Sequence, residues 1–375
     1  MVPVTVGSVD EVGALAGFTV AVTAERRRDE MVALLTRRGA RVITASTITI
    51  GPLADDDALR AATAACIDLA PDLVVATTGF GFRGWLETAE GWGMGDDLRA
   101  ALGRARILAR GPKPCGAIRA AGLTEEWAAA TEGSEEILER LLSQGVAGAR
   151  IAVQEHGEPQ TEFIEALRAA GAVVVEVPVY RWTLPPDVTA VRRLVDQVVH
   201  GQVDAVTFTS APAVRAFLMI AGAQTDALLA RLRTDVMAAC VGPVTAGPLV
   251  RLDVPVVSPQ RFRLGALIKT ITDELPRRAI SLRVAGCDLE VRGHAVLIDG
   301  RLHALPPASM TILAALAARP GAVVSKDRLA ATLPRSSDGH AVDVAVARLR
   351  SALGPGQHIE TVIKRGYRLR MDDAA

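Results

Sequence analysis

Several short motifs in the first part of this 375-residue chain return at a nearly constant offset of 131 or 132 residues. Ala16-Gly17-Phe18-Thr19-Val20-Ala21-Val22 recurs as Ala147-Gly148-Ala149-Arg150-Ile151-Ala152-Val153. Ala33-Leu34-Leu35-Thr36-Arg37-Arg38-Gly39-Ala40 is answered by Glu165-Ala166-Leu167-Arg168-Ala169-Ala170-Gly171-Ala172. Asp72-Leu73-Val74-Val75-Ala76-Thr77-Thr78 is answered by Asp204-Ala205-Val206-Thr207-Phe208-Thr209-Ser210, and Gly111-Pro112 by Gly242-Pro243. The period is too long for a solenoid, so the pattern predicts two related domains.

Each half alternates strands and helices. Val20 to Thr23 reads as a short apolar strand, and residues 27–38 as an amphipathic helix ended by Gly39. Val42 to Ile50 is β-branched and strand-like throughout. Leu73 to Thr77 and Val206 to Thr209 read as buried strands, each followed by a turn and a helix. This alternation predicts parallel sheets flanked by helices. Ligands of such sheets bind beyond the carboxyl ends of the strands. Thr77-Thr78-Gly79, Thr209-Ser210, Gly111-Pro112 and Gly242-Pro243-Val244-Thr245 fall there. Taken singly, Ser and Thr at such junctions are helix N-caps. Four such turns in symmetric positions point to a shared cleft for an oxygen-rich ligand.

The C-terminal part has a different character. His340 to Leu353 carries apolar residues at 342, 346, 349 and 353, one stripe of a helix. Its other faces hold small residues and two arginines. Ile359 to Leu369 reads as two short strands around a basic turn. A slim helix braced by a basic hairpin suits duplex DNA, holding phosphates and reading bases together. The net charge of zero conceals an asymmetry. Residues 280–375 carry 13 Lys and Arg against 9 Asp and Glu, leaving 29 against 33 for the remainder. A basic C-terminal segment beside an acidic body fits nucleic acid at one end.

Cys66, Cys115, Cys240 and Cys287 show no paired spacing, which argues against a disulfide framework or a zinc site and fits a reducing cytoplasm. The six histidines have no metal-ligand spacing. No basic-then-apolar leader opens the chain, and no wholly apolar run approaches about 18 residues, so no membrane role is expected.

Over residues 14–275 the order of elements resembles uroporphyrinogen-III synthase. The resemblance implies two Rossmann-like or flavodoxin-like parallel-sheet lobes joined by two crossing strands. Lobe one would be residues 14–46 with 183–277, and lobe two residues 50–178. Val42–Ile50 and Val173–Trp182 would be the connecting strands. That family cyclises hydroxymethylbilane, a linear tetrapyrrole with eight carboxylates, and uses no metal or organic cofactor. In Val179-Tyr180-Arg181-Trp182-Thr183, Tyr180 matches the family's suggested acid, although an aromatic packed between lobes would read the same way. Thr78, Ser210 and Thr245 match its hydroxyl-bearing turns, with Gly111, Lys113 and Gly242 beside them. Two departures stand out. Pro114 occupies a position where the family has threonine, and the turn Glu155-His156-Gly157-Glu158-Pro159-Gln160 is acidic where synthases tend to place arginine. Arg83, Arg110, Lys113 and Arg181 are the basic residues available to compensate.

Residues 280–372 resemble the winged-helix output domain of response regulators of the OmpR/PhoB type. Residues 282–305 correspond to a small leading sheet with Asp299-Gly300 as a hairpin turn. Met310 to Ala318 corresponds to the first helix, and Ser325 caps the second. Val342-Asp343-Val344 with Arg348-Leu349-Arg350 matches the recognition-helix pattern, and Gly366-Tyr367-Arg368-Leu369 the closing strand. By position, Val344 would meet a thymine methyl and Arg348 a base edge or phosphate. Arg350, His340 and Thr361 would lean toward phosphates, and Lys364 and Arg365 would form the wing tip. An ion pair between Arg350 and Asp343 is the competing reading. Ala345, Ala347 and Ile363 depart from the polar or basic residues of relatives, and the connection from Leu333 to Gly339 is short. Asp55-Asp56-Asp57 reads as a helix-opening charge cluster and not as a receiver's acidic pocket.

Composite chains of this build resemble actinobacterial regulators of nitrate and nitrite assimilation. The expected function is a DNA-binding transcription regulator with a synthase-like sensor body. It would bind double-stranded DNA on tandem half-sites as a homo-oligomer, with a tetrapyrrole in the inter-lobe cleft. The alternative is an active synthase carrying an appended DNA-binding domain, or a lobe pair that serves only as scaffold.

Overall fold

The computed structural model describes residues 12–52, 57–155, 157, 160–333, 339–354 and 358–372. Side chains of residues 50–52, 180 and 181 lie outside that description. So do Asp55 and Asp56 of the acidic cluster, His156, Glu158 and Pro159 of the acidic turn, and residues 334–338 of the short connection.

The chain forms two compact units, residues 48–184 and residues 1–47 with 185–375. In chain order the body strands are β1 (Thr19–Val22), β2 (Arg41–Thr44), β3 (Thr49–Pro52), β4 (Leu73–Ala76), β5 (Arg106–Ala109), β6 (Glu125–Ala128), β7 (Arg150–Gln154), β8 (Val173–Val177), β9 (Tyr180–Thr183), β10 (Ala205–Phe208), β11 (Met237–Cys240) and β12 (Val256–Val257). One sheet runs β12-β11-β10-β1-β2 and another β6-β5-β4-β7-β8, each with parallel neighbours. The two orders superpose strand for strand along the sequence repeat. The expected single strand Val42–Ile50 divides in two. β2 closes the edge of the first sheet, and β3 pairs antiparallel with β9, Ile50 opposite Trp182. Ala45 and Thr47 between them are buried, and their N–H groups bond to Val22 O and Thr23 O. The β-branched run thus spans a change of partner that propensity alone does not reveal.

Both sheets are buried on both faces, as parallel sheets with crossover helices must be. Alternation along each strand sends successive side chains to opposite cores. Val20 and Val22 join Met31, Leu35, Leu267 and Ile271 on one side, while Ala21, Val206 and Phe208 join Val195, Phe217 and Leu229 on the other. In the second unit, Val74, Ile107 and Ala109 pack with Phe82, Trp85 and Leu102, and Val75, Leu108 and Val153 with Ile137, Leu141 and Leu167. The stretch Ala211–Thr234 is long and apolar enough to cross a bilayer by length and composition. A 3-10 turn at Gly222–Gln224 breaks it into two helices, which bury Val214, Phe217, Leu228 and Leu232 in the lobe core. All four cysteines are free; burial pushes the Cys66 and Cys240 thiols up to about 12.

The C-terminal segment of the first unit is a winged helix. β13 (Ile280–Val284), β14 (Cys287–Val291), β15 (Ala295–Ile298) and β16 (Arg301–Ala304) form an antiparallel sheet. Asp299 and Gly300 turn its last hairpin with φ of 47° and 76°, the two left-handed residues that a two-residue type I′ turn requires. Helices Pro307–Ala317, Lys326–Ala330 and Gly339–Leu353 follow, with Ser325 Oγ accepting from Arg328 N–H at 3.3 Å as the cap of the second. β17 (Ile359–Val362) and β18 (Gly366–Leu369) make the wing.

In the second unit the Trp85 indole N–H donates to Thr63 Oγ1 at 2.9 Å, both residues fully buried. Thr63→Val removes the acceptor at constant shape. Unfolding of residues 48–184 in urea should lose about 1–3 kcal/mol, because a buried donor is left unpaired.

Candidate nucleic-acid interface

The helix Gly339–Leu353 is held by one face. Val342, Ala345, Val346, Leu349 and Leu353 are buried against Leu313, Leu316 and Leu329. Ala345 therefore belongs to the core, which accounts for a small apolar residue where relatives carry a polar or basic one. His340, Val344, Ala347 and Arg348 are exposed. Val344 and Arg348 are four residues apart, so they stand one turn above the other on the outer face. Arg348 has no ion pair or hydrogen bond among the described residues. At the wing, Ile363-Lys364-Arg365 forms an exposed turn with Lys364 at φ 60°. Ile363 is 82% exposed, the most open large apolar side chain among the described residues. The apolar residue at the tip is flanked by two exposed cations, Lys364 and Arg365, with no ion pair among the described residues.

Arg350 does something else. Its Nη2 donates to Ile359 O and to Thr361 Oγ1, both at 2.8 Å, and its Nε donates to Ile359 O at 3.2 Å. Its guanidinium stands 5.7 Å from the Tyr367 ring centroid. Arg350 and Thr361 thus tie the helix to the wing. Asp343, the other candidate partner, binds Lys326 Nζ at 2.7 Å and accepts from Tyr367 Oη–H at 2.6 Å. Lys326 and the hydroxyl together hold the Asp343 carboxyl below the usual range, with Lys326 the larger cause. Burial, then the Asp343 bond, pushes the Tyr367 phenol up to about 12, so it remains a donor throughout the physiological range.

Tyr367 also pairs its backbone with Val324, N–H to O at 3.0 Å and O to N–H at 2.8 Å. That approach requires glycine at 366, since any Cβ there would lie 2.0 Å from Val324 O, and φ is 133°. Tyr367 therefore joins the second helix, the third helix and the wing at one point. The role of Lys326, Asp343 and Tyr367 as a brace had no local sequence signal. The three lie in separate elements and meet only on folding.

The body turns are arranged in both units. Thr78 Oγ1 accepts from Gly81 N–H at 3.2 Å and caps the helix Gly79–Gly91. Gln154, buried at the end of β7, donates to the same Oγ1 at 2.9 Å and to Thr78 O at 3.2 Å. Gly79 presses on Lys113 O so closely that a Cβ would fall 2.3 Å away, which brings the Thr78 and Gly111 turns together. Gly111 is extended against Glu132, with Lys113 exposed and Pro114 buried. In the first unit Ser210 Oγ accepts from Ala213 N–H at 3.4 Å, and Gly242 lies extended against Phe262. Thr245 is buried in the first turn of the helix Pro243–Val250. Thr78 and Ser210 are thus N-caps, the plain reading of such residues. Tyr180 opens β9, and its side chain lies outside the described residues. Glu155 is buried, its N–H bonded to Val177 O. Gln154 carries its amide to Thr78 at the end of β4, a role with no local sequence signal.

Residues 29–269 match the family model described as uroporphyrinogen-III synthase HemD. The chain belongs to that family. Residues 300–369 match the model described as transcriptional regulatory protein, C terminal. The chain is 26% identical over 260 residues to the uncharacterized protein YjjA of Bacillus subtilis, covering 68% of this chain and 94% of that protein. It is similar to the mutant uroporphyrinogen III synthase of Thermus thermophilus, with a TM-score of 0.59 and 28% identity over 69% of this chain and 99% of the synthase. The Klebsiella pneumoniae RstA DNA-binding domain, solved in complex with RstA box, matches at 27% identity and a TM-score of 0.21, covering 24% of this chain and 96% of that domain. The protein therefore joins a HemD-family body to a DNA-binding head of the transcription-regulator type.

Tyr367→Phe keeps the ring under Arg350 and removes the hydroxyl. We expect the winged helix to lose about 1 kcal/mol in chemical unfolding, the worth of a single net hydrogen bond. DNA affinity should fall with it, while circular dichroism stays unchanged.

Proposed function

We propose that this HemD-family protein is a transcription regulator that reads double-stranded DNA with the helix Gly339–Leu353 and senses a tetrapyrrole through its body. The observation that carries the reading is the outer face of that helix. Arg348 and Val344 are exposed there, braced from behind by a packed core and from the side by Arg350, and the cationic wing tip lies in the same domain. Val344 offers an apolar contact to a thymine methyl, and Arg348 offers a fork for a guanine edge or a phosphate. His340, Lys364 and Arg365 supply phosphate contacts, which position the head without reading sequence. One head makes few base contacts, so two copies on tandem half-sites about one helical turn apart are the functional unit.

For the body, the four symmetric turns at Thr78, Gly111, Ser210 and Gly242 offer backbone N–H groups at helix starts to a ligand rich in carboxylates. The tetrapyrrole route leads to sirohaem, the prosthetic group of nitrite and sulfite reductases. Control of nitrate and nitrite assimilation or of tetrapyrrole-linked genes follows from that chemistry. Thr78 Oγ1 is already engaged by Gln154 and by its own cap, which favours holding a ligand over turning it over.

Arg348→Ala should weaken binding to the cognate operator by about 1–3 kcal/mol in a gel shift, and relax specificity at one base pair. Its exposure means that the head still folds. Lys364→Ala should weaken binding across all sequences and reduce the salt slope by about one unit. Unchanged affinity in the first variant removes Arg348 from the interface.

For the body, uroporphyrinogen III at saturating concentration should raise the melting midpoint of the full chain, as any ligand that prefers the native state must. Fresh hydroxymethylbilane should yield no type III isomer above the spontaneous type I background. A positive result in that cyclisation assay would favour a working synthase with a DNA-binding tether.

A further inference from the structure

The repeat places two aspartates at equivalent points, Asp72 before β4 and Asp204 before β10. Their backbones are used identically. Asp72 N–H donates to Arg150 O at 2.8 Å and Asp72 O accepts from Arg106 N–H at 3.0 Å; Asp204 N–H donates to Thr19 O at 2.9 Å and Asp204 O accepts from Met237 N–H at 2.9 Å. Each carboxylate also accepts the N–H of the neighbouring strand's first residue, Arg150 at 2.9 Å and Thr19 at 2.6 Å. The side-chain surroundings then diverge. Arg150 Nη2 pairs with Asp72 at 2.7 Å, and this bond holds Asp72 down at about 2. Thr19 stands at the arginine's place in the first unit, and among the described residues no cation pairs with Asp204.

The DNA-binding head takes the vacant position. The turn between β14 and β15, Arg292-Gly293-His294, lies on the amino edge of the lobe-one sheet. Arg292 Nη1 donates to Ala16 O at 2.6 Å and to Ala14 O at 3.3 Å, and its guanidinium lies 5.2 Å from the Phe18 ring centroid. His294 N–H donates to Gly17 O at 2.8 Å, and its Nδ1 is 3.3 Å from Thr19 Oγ1. Between them Gly293 covers the Asp204 carboxylate so closely that a Cβ would lie 2.0 Å from Oδ2. No side chain larger than hydrogen fits there.

We propose that this turn is a latch between head and lobe one whose grip is set by the charge on Asp204: the neutral acid keeps the head docked, and the carboxylate loosens it. The charged groups around it cannot compensate. Asp235 adds a like charge, itself paired with Arg231. Arg292 is committed to backbone carbonyls and to Glu290 at 2.8 Å. Burial, then the Arg41 charge, keeps His294 below its usual range. Burial lifts Asp204 from 3.8 to about 6, against the pull of the Thr19 N–H. The sign follows from linkage. The docked state binds the proton more tightly, so docking is strongest below about pH 4, weakens as pH rises toward 6 and is level above it. The latch rests on contacts within one unit and is independent of any ligand in the body.

Hydrogen–deuterium exchange of the full chain reads the latch through peptides spanning Arg292 to Ala295, corrected for intrinsic exchange at each pH. Protection should fall between pH 4.5 and 7.5, by at most the order of twentyfold that a shift of about two units allows. Asp204→Asn should hold protection level across that range. Arg292→Ala should lower it at every pH while the helix Gly339–Leu353 stays protected, which controls for folding. Constant protection in the unmodified protein, or a surviving pH dependence in Asp204→Asn, overturns the proposal.

Discussion

Burial of two parallel sheets on both faces is the constraint from which the other arrangements follow. A sheet covered by helices above and below has no face left for chemistry or for docking. Only the ends of its strands remain open, and they differ in kind. At the carboxyl ends the chain turns into helix N-termini, where Thr78, Gly111, Ser210 and Gly242 present backbone N–H groups. At the amino ends the chain arrives from helix C-termini, and the first unit uses that edge to receive the head. In the first unit Ser210 follows the carboxyl end of β10, and the contact with the head lies at its amino end, at Asp204.

The repeat was legible because its motifs are local and its offset barely varies. Strand runs such as Leu73–Ala76 and Val206–Phe208 announce themselves by continuous burial, and the helix stripe at 342, 346, 349 and 353 by its period. What stayed hidden depends on distant partners. The β-branched stretch 42–50 changes sheets midway, which no local propensity encodes. Arg350 looked like a phosphate ligand because its type and spacing fit. The carbonyl of Ile359, brought alongside by the wing, claims it instead. Asp72 and Asp204 occupy matching repeat positions, yet one is held low by Arg150 and the other raised by burial.

Within the head, free and committed cations divide the work. Arg350 gives up its donors to the wing and fixes the angle between wing and helix. Lys326 is spent on Asp343. Arg348, Lys364 and Arg365 are exposed and have no ion pair among the described residues. A recognition surface needs both kinds, since an arginine reads a base edge only if its backbone does not drift. The Tyr367 phenol ties the brace to Asp343, in the second turn of the helix Gly339–Leu353 and next to Val344.

The difference between Thr19 and Arg150 shows how a duplicated lobe acquires a docking face with little change of structure. Asp72 and Asp204 keep the same three backbone bonds, so the sheet edge is built alike in both units. With threonine in place of arginine, space is left at the first unit's edge while the strands keep the same backbone bonds. A glycine-centred turn can then approach a carboxylate that would otherwise be covered by a guanidinium. The cost is a half-buried charge with one N–H to satisfy it among the described residues, and burying an unpaired charge is expensive unless the group can become neutral. An edge formed in this way binds its turn firmly in one protonation state and less firmly in the other, which follows from leaving out a single cation.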